Sequence, residues 1–264
     1  MKYTHGHGPA VLANHLTRTA QDSLAFVLPH LHRDSRVLDV GCGPGSITLD
    51  VAAIVAGLGG SASQVTGVEN TDEPLRAARG LAEERGIGAQ FALGDAHALP
   101  VADGSFDVVI AHQVLQHVAD PVAVLRELVR VAAPGGVVAV RDADYAGMFF
   151  HPQPEGLVGW QRDYRRRARA NGGEPDAGRL LPAWARQAGL GPGQLGFTTS
   201  TWTYTHGAGA SWLADSWIRR TQAAESAEAA QVQDAAGICA GWRSWAADEA
   251  AVFVMPHGEL LIRV

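Results

Sequence analysis

A glycine-rich turn and one carboxylate define the part of this sequence that could bind a ligand. Residues 36–45 read Arg-Val-Leu-Asp-Val-Gly-Cys-Gly-Pro-Gly, which predicts a buried strand that runs into a loop and then a helix. Gly41, Gly43 and Gly45 lack a Cβ atom, so the backbone can turn tightly and approach a flat ligand. Glu69 follows at the end of the next predicted strand, where a carboxylate can accept both hydroxyls of a ribose. This combination predicts a nucleoside site, with Ser46 as a candidate helix cap.

Residue types elsewhere limit which nucleoside compounds fit. In the dinucleotide fingerprint G-x-G-x-x-G, the third glycine would fall at Ser46. A nicotinamide oxidoreductase usually needs a partner such as a Tyr/Lys pair, and Walker-A loops and pyridoxal phosphate sites each need a lysine. Lys2 is the only lysine of this chain. These three classes are therefore disfavoured.

Four ordered segments resemble the motifs of class I S-adenosylmethionine (SAM)-dependent methyltransferases. In chain order they are the glycine loop at 37–45, Gly-Asp-Ala-His-Ala-Leu-Pro at 94–100 with the strand at 106–110, the segment 115–121, and the stretch 125–136. Four ordered motifs are far more specific than one glycine loop. Within the class, the chain is most similar to the ubiquinone- and menaquinone-biosynthesis-like group of small-molecule enzymes (methyltransferase type 11-like). The resemblance implies SAM as cofactor and S-adenosylhomocysteine (SAH) as its product.

The resemblance also implies contacts to each part of SAM. Asp39 and Gly41 would lie near the amino-acid end, Glu69 on the ribose, and Asp95 with Ala96 on the adenine. Asp39 could equally serve only to order the loop. His112 would lie near the methionine moiety, and Arg18 could reach the methionine carboxylate. The full predicted cofactor set is Tyr3, Arg18, Asp39, Gly41, Gly43, Glu69, Asn70, Asp95, Ala96, His112 and Gln113.

The first residues of the chain could cover this pocket. They read Met-Lys-Tyr-Thr-His-Gly-His-Gly, with two histidines and Tyr3 spaced by glycine. The segment is interpreted either as a lid over the cofactor or as a frayed tail. His5 and His7 alone are too few for a metal site, and no metal is expected.

The methyl acceptor is expected beyond strands four and five, where the resemblance places the transferred methyl. His112, Gln113 and His117 follow strand four, and aromatic residues follow strand five. The predicted substrate residues are His7, His117, Tyr145, Met148 and Phe149, and the predicted catalytic residues are His117, His112, Tyr145 and His5. A base is needed only if the acceptor must lose a proton, and a histidine base would give an apparent pKa near 6 to 7. Otherwise alignment alone would suffice, with His117 structural.

Two further clusters have open interpretations. All seven tryptophans lie in the C-terminal half. For six of them core packing is the default and an aromatic wall for a flat substrate is the alternative; they are Trp184, Trp202, Trp212, Trp217, Trp242 and Trp245. Five arginines between 162 and 169 predict a solvated helix face or, alternatively, a phosphate-binding patch.

The elements that must position these residues alternate between strand and helix. The predicted strands are 36–40, 64–68, 89–93, 106–111 and 137–141, and the predicted helices are 46–56, 72–85 and 121–132. Alternation of this kind predicts an α/β fold with a parallel sheet and a ligand at the carboxyl ends of the strands. The resemblance implies a Rossmann-like, seven-stranded, mostly parallel sheet with helices on both faces. Its strands six and seven would be 197–205 and 252–264, the latter interrupted at Pro256, and the last strand would be antiparallel.

The remaining residues are predicted to form a cap within one domain spanning 1–264. Residues 1–35 would form the lid and first helices, 36–142 the SAM-binding core, and 143–264 the substrate cap and last strands. Helices are expected near 157–170 and 179–188. Two helices broken at Gly237 are expected between 208 and 249 as an insertion.

Composition excludes several other classes. A net charge of −6 and a pI near 6.0 give no overall attraction to nucleic acid or membranes. The place of the Asn/Asp-Pro-Pro-aromatic loop of nucleic-acid enzymes reads Ala-His-Gln-Val at 111–114. Cys42 and Cys239 are the only cysteines, so no disulfide is expected, and no signal peptide or membrane span is apparent. We expect a cytoplasmic protein that could form a homodimer.

The leading hypothesis is methyl transfer from SAM to a small planar metabolite, such as a phenol, quinone or indole, on oxygen, nitrogen or carbon. Two alternatives stay open at this point. One is a nicotinamide-dependent oxidoreductase, and the other is a SAM-binding regulatory subunit without catalysis.

Overall fold

One mixed sheet of eight strands runs through the protein in the computed structural model, which describes residues 17–226 and 232–264. The strand order is β3-β2-β1-β4-β5-β8-β6, and β7 pairs with the other edge of β8. The strands are β1 (Val37–Val40), β2 (Val65–Glu69), β3 (Gln90–Leu93), β4 (Phe106–His112), β5 (Ala132–Ala143), β6 (Phe149–His151), β7 (Leu195–Thr205) and β8 (Val252–Arg263). β1 to β5 are parallel, and β8 is antiparallel to β5, β6 and β7.

Helices cover the sheet and fill the C-terminal half. The α-helices are α1 (Ala20–Leu24), α2 (Ser46–Gly57), α3 (Asp72–Arg85), α4 (Pro121–Val131), α5 (Glu155–Ala170), α6 (Leu181–Gln187), α7 (Ala208–Ser226) and α8 (Ala235–Ala247). Short 3-10 turns occupy Leu28–His30, Ala62–Gln64, Leu115–His117, Tyr145–Gly147, Ala177–Leu180 and Pro192–Gln194. α4 begins as predicted, because the Asp120 carboxylate accepts a hydrogen bond of 2.9 Å from the Ala123 amide and Pro121 needs no partner.

The sheet is buried on both faces, which explains the continuous apolar runs of its central strands. Leu38 and Val40 of β1 belong to one apolar cluster with α4 and α6. Val37 belongs to another cluster, which contains α1 and α2 on the opposite face. Burial on two sides removes both side-chain rows of a strand from water. The predicted α/β fold class is therefore confirmed, as is the antiparallel last strand.

The parallel register brings four strand ends to one edge. Val40 pairs with Val68 on one side and with Ala111 on the other, so the residues that follow these positions emerge together. His112 lies opposite Arg141 of β5 in the same register. Polar residues far apart in the sequence therefore meet at the carboxyl edge of the sheet.

The predicted elements needed four corrections, of which the first is that β5 begins at Ala132, five residues before the predicted start. The sheet has an eighth strand, because the three residues of β6 pair with β8. β8 is continuous through Pro256. The missing N–H of Pro256 faces the turn between β5 and β6, and its carbonyl accepts a hydrogen bond of 3.0 Å from the Asp144 amide of that turn. Gly237 lies in the first turn of α8, where its amide donates to the Asp234 side chain, so the helices are not broken there.

The C-terminal helices enclose an aromatic cluster against the sheet. Trp160 of α5 contacts Trp217 of α7 at 4.6 Å and Trp242 of α8 at 4.8 Å between ring centroids. Gly156 and Gly241 allow α5 and α8 to cross closely, because a Cβ on either would collide with the backbone of the other helix. Core packing is therefore the outcome for most of the tryptophans, and α7 and α8 follow β7 where two helices were predicted.

Candidate functional site

A cavity of about 440 Å³, called the first cavity below, opens at the carboxyl edge of the sheet. This volume lies within the range of small-molecule sites. Its walls come from the glycine loop, the end of β2, the segment after β3 and the segment after β4. Every described residue of the predicted cofactor set lines this cavity: Arg18, Asp39, Gly41, Gly43, Glu69, Asn70, Asp95, Ala96, His112 and Gln113.

The glycine loop needs its glycines for conformation and for space. Gly41 and Gly45 have φ angles of 73° and 80°, in the left-handed region that side chains disfavour. A Cβ at Gly45 would lie 2.9 Å from Ala78 and 3.1 Å from Phe91, so α2 could not start so close to its neighbours. Gly45 occupies the cap position of α2, which corrects the prediction of Ser46 as cap.

Glu69 closes the loop onto the end of β2. Its Oε2 accepts a hydrogen bond of 3.1 Å from the Gly43 amide, and its Oε1 accepts one of 2.7 Å from the Asn70 amide. A carboxylate has about four acceptor positions, so each oxygen can still accept a hydroxyl. The geometry fits a ribose diol, as the sequence predicted.

Asp39 is almost fully buried beneath the loop, at 3% exposure. Its Oδ2 accepts a hydrogen bond of 2.6 Å from the Thr48 hydroxyl. Burial raises the pKa of Asp39 to about 7, the Thr48 bond opposes that rise, and the Glu69 charge adds to it. Asp39 therefore orders the loop and also presents a carboxyl group to the cavity, so both sequence interpretations describe part of its position.

Asp95 forms the rim of the first cavity after β3. Its Oδ1 accepts a hydrogen bond of 2.9 Å from the His97 backbone amide and also lies 2.9 Å from His97 Nδ1. These bonds lower the pKa of Asp95. A fixed, ionised carboxylate beside Ala96 can accept a hydrogen bond from an amine or hydroxyl of a ligand.

The second cavity, of about 360 Å³, shares Arg18 and Gln113 with the first. Its aromatic lining comes from Tyr145, Trp202, Tyr204, Trp212 and Trp217, and its charged lining from Arg18, Asp22 and Arg220. Two cavities with a common wall provide one place for a cofactor and one for a second compound. The alternative of an aromatic wall is thus realised by some tryptophans, while Trp242 and Trp245 lie in the core.

Gln113 sits in this common wall with unusual backbone geometry. Its φ angle is 56°, one of two positive values among the described non-glycine residues. Its amide donates to the Arg141 carbonyl at 2.7 Å, which fixes the turn directly after β4. Strained backbone at a cavity wall is typical of functional sites, because the surrounding structure must hold it in place.

The buried guanidinium of Arg141 contacts the His112 ring. Arg141 Nη1 lies 3.0 Å from His112 Nε2, and the same guanidinium contacts Glu259 at 3.4 Å and donates to Ser200. A guanidinium can only donate, so His112 Nε2 is the acceptor and its proton is on Nδ1. Burial lowers the pKa of Arg141 to about 10, a value at which it stays charged at neutral pH.

His117 is neutral in this environment. Removal from water, and then the charges of Arg18 and Arg220, lower its pKa to about 3. Its Nε2 lies 3.0 Å from the side-chain nitrogen of Gln116. A pKa of about 3 does not match the expected histidine base with a pKa near 6 to 7, because removal from water, and then two guanidiniums, disfavour the charged form of His117.

The segment after β5 differs from the expected wall. Tyr145 lines the second cavity, stacked on Tyr164 at 4.2 Å, and burial raises its pKa. Met148 is buried in the aromatic cluster and Phe149 is 60% exposed, and neither lines either cavity. The reason is that β6 pairs with β8 at Val254 and carries the segment away from the sheet edge.

Other candidates have structural partners. Asp142 accepts a hydrogen bond of 3.1 Å from the Gln116 amide, lines neither cavity, and has a pKa raised by burial to about 8. Four of the five arginines of α5 bind acidic neighbours: Arg165 binds Asp176, Arg166 and Arg167 bind Asp163, and Arg169 binds Glu174 and Asp176. Both cysteines are free and buried.

Three predicted residues, Tyr3, His5 and His7, lie outside the described ranges. Within those ranges, no three metal-ligating side chains group together, and no helix is long and apolar enough to cross a bilayer.

Arg220 and Tyr204 line the second cavity and were missed by the sequence analysis, as was His257, which lines neither cavity but contacts the Gln113 side chain. Arg220 lies on α7 three residues after Trp217, and its guanidinium covers that ring at 4.9 Å. The spacing was a signal for an interaction within the helix. Nothing in it indicated that the pair faces a cavity, because that depends on how α7 packs against β7.

Comparisons with known proteins agree with this geometry. A family model described as a methyltransferase domain matches residues 31–172. An uncharacterised methyltransferase of Schizosaccharomyces pombe is 31% identical over 99% of this chain and 96% of its own length. A ubiquinone biosynthesis O-methyltransferase of Parvibaculum lavamentivorans is 31% identical, over 40% of each chain. The ubiquinone-like subgroup therefore stays a prediction.

Solved structures match the fold over nearly the whole chain. The YcgJ protein from Bacillus subtilis superposes with a TM-score of 0.55 at 20% identity, covering 92% of this chain and 98% of its own. A likeness at this identity supports the architecture and carries no information on the acceptor.

Proposed function

The chain belongs to the class I SAM-dependent methyltransferases, and from this membership we propose that it methylates a small planar compound held in the second cavity. One observation carries the proposal: the cavity lined by the glycine loop and Glu69 shares a wall with a cavity lined by aromatic rings. A methyl donor and a flat acceptor could thus meet at Arg18 and Gln113.

In this proposal, the first cavity holds SAM through groups that match its parts. Glu69 accepts the ribose hydroxyls, and Asp95 with Ala96 contacts the adenine. Asp39 balances positive charge at the amino-acid end, and Arg18 binds the methionine carboxylate. When bound, SAM supplies an electrophilic methyl group, and the rest of the molecule leaves as SAH.

The protein's contribution is then alignment in a site without water. Tyr204 stacks on Trp212 at 6.0 Å with an angle of 18° between the rings, which offers a flat wall to a flat compound. The Trp202 indole is fixed by a hydrogen bond of 3.3 Å to the Asp22 carbonyl. Holding two reactants in contact can supply several kcal/mol, roughly 7–11 kcal/mol in favourable cases.

No histidine described at this wall is well suited as a base near neutral pH. His112 uses Nε2 to accept from Arg141, and the pKa of His117 is about 3. A group with so low a pKa gives little driving force for proton transfer. We therefore favour an acceptor that is nucleophilic as bound, over one that must be deprotonated by His117.

A transfer experiment tests this function. SAM carrying a labelled methyl group is incubated with the full chain and a small-molecule extract, and labelled products are separated. Glu69→Ala, which should bind SAM poorly, is the control. Label in a small compound with the wild type only supports the proposal. A protein that binds SAM and labels nothing would instead be a non-catalytic SAM-binding subunit, and one that binds NAD(P)H in place of SAM would contradict the proposal outright.

A further inference from the structure

The charged groups of the second cavity narrow the class of its ligand. Two guanidinium groups, those of Arg18 and Arg220, line it with a single carboxylate, that of Asp22, among the described residues. Asp22 lies on an exposed part of the chain and accepts a hydrogen bond of 2.8 Å from the Thr19 hydroxyl. With Arg18 assigned to the methionine carboxylate, Arg220 is the guanidinium of the described lining that a second compound would meet, and the carboxylate of Asp22 lies at the exposed rim.

Both guanidiniums are held against aromatic rings of the same cavity. The Arg220 carbon Cζ lies 4.9 Å from the Trp217 ring centre, and the Arg18 Cζ lies 5.3 Å from that of Trp202. Stacking on a ring face orders a guanidinium while leaving its edge N–H groups directed outward. An ordered guanidinium loses little entropy when it binds an anion.

The position of Arg220 relates it to the wall shared by the two cavities. Arg220 lines the second cavity together with Tyr145, Tyr204 and Gln113, and Gln113 also lines the first. An anion bound by Arg220 would therefore lie close to the place where the two compounds meet. The aromatic rings beside it would cover the rest of a flat molecule.

We propose that the compound bound in the second cavity is an aromatic or otherwise planar molecule that carries an anionic group, such as a carboxylate, and that Arg220 binds this group. The inference rests on the proposed function, because it assigns the second cavity to the methyl acceptor. Arg18 stays assigned to the carboxylate of SAM, so the two guanidiniums serve different compounds. The anionic group is the recognition element here, and the methylated atom is another part of the molecule.

A matched pair of probes tests the proposal on the full chain saturated with SAH. The probes are para-hydroxycinnamate and para-hydroxycinnamamide, which have the same shape and differ by one negative charge. Binding is measured by calorimetry and by quenching of tryptophan fluorescence. We expect the acid to bind about tenfold to a hundredfold more tightly, as for a hydrogen bond to a charged group. Equal affinity of the two probes, or no binding of either, would overturn the proposal.

Three variants assign the preference to one residue. Arg220→Gln should abolish the preference for the acid, and Arg220→Lys should keep part of it, because the charge remains but the paired N–H groups do not. Arg219→Gln is the matched control, since Arg219 is the exposed neighbour on α7 and does not line the cavity. A preference that persists in Arg220→Gln would contradict the assignment. If Arg220→Gln does not fold, the wild-type probe comparison and Arg220→Lys still decide.

SAH titrations separate this inference from the function on which it rests. Wild type and Arg220→Gln should bind SAH equally, because Arg220 lies outside the first cavity. A wild-type chain that does not bind SAH would contradict the proposed function itself. A chain that binds SAH normally, without a preference for the acid, would contradict only the anionic ligand.

Discussion

The Arg18 guanidinium donates a hydrogen bond of 3.1 Å to the side-chain oxygen of Gln113, across the wall where the two cavities meet. This bond orients the side-chain amide of Gln113, and the nitrogen of that amide donates a hydrogen bond of 3.1 Å to His257 Nε2. A residue before α1 is thereby connected to the end of β4 and to the middle of β8. The wall between the two cavities depends on a tertiary contact between segments 95 positions apart.

The first prediction concerns Glu69. Glu69→Ala should weaken SAM binding by about 1–3 kcal/mol, because ribose hydroxyls and the Gly43 amide would lose their acceptor. Calorimetric titration with SAM and SAH measures the change. Glu73→Ala, in the first turn of α3 and outside the cavity, is the control and should bind normally. Unchanged affinity in Glu69→Ala would remove Glu69 from the ribose site.

The second prediction concerns the pH dependence of SAM binding through Asp39. Its pKa of about 7 in the free protein means that the carboxyl is partly protonated near neutrality. A bound cation favours the ionised form, so SAM affinity should fall as the pH drops from about 8 to about 6, with protons released on binding. Asp39→Asn should bind SAM more weakly and remove this part of the pH dependence. Titrations in buffers of different ionisation enthalpy measure the proton release, and none near pH 7 would contradict the assignment.

The third prediction concerns His117 and the rate. At saturating SAM, the turnover should show no pKa near 6 to 7 that belongs to His117, because the pKa of this imidazole is about 3. His117→Gln should keep most of the wild-type rate, since a neutral polar side chain replaces a neutral imidazole. Profiles of kcat against pH for both proteins check this. A rise with pH in the wild type that is absent in His117→Gln would restore the histidine as a base.

The fourth prediction concerns Asp142 and stability. Its pKa is raised by burial to about 8, so the folded state binds a proton that the unfolded state releases near pH 4. This group therefore lowers the free energy of unfolding as the pH rises from about 4 to about 8, by up to about 1.4 kcal/mol per pH unit. Asp142→Asn should gain stability relative to wild type over that window. Urea unfolding at several pH values measures the difference, and a constant difference would refute the prediction.

The fifth prediction concerns the first eight residues. The described residues begin with Thr17, which lines the second cavity, and Arg18, which lines both cavities. Deleting residues 1–8 should leave a folded protein with much reduced turnover, if this segment closes over the cofactor. Thermal unfolding and turnover of the truncated protein are compared with wild type. A full rate would mean that the segment is only a tail.

The sequence predicted the central sheet well because its signals are local. Strands β1 to β4 and helices α2 to α4 begin and end within two residues of the predicted positions. Apolar runs, glycine punctuation and Asp120 with Pro121 act over a few residues, so no knowledge of distant contacts was needed. The same reasoning failed at Gly237 and Pro256. Gly237 fits into a helix because the Asp234 side chain caps the first turn at its amide. Pro256 fits into β8 because its missing N–H faces the turn between β5 and β6, where neither of these two strands pairs with it.

For the site, the sequence by itself determined that the described residues of the predicted cofactor set come together at one cavity. Gly41, Gly45 and Glu69 follow adjacent strands, and parallel register alone brings strand ends to one edge. Only the tertiary structure decided the rest of the site. Met148 turns into the core because β6 pairs with β8, while Trp202 and Arg220 form the second cavity because β7 and α7 pack beside Arg18. The pKa of His117 was likewise decided by burial and by charges from two distant segments, and such long-range electrostatics and packing leave no local pattern in a sequence.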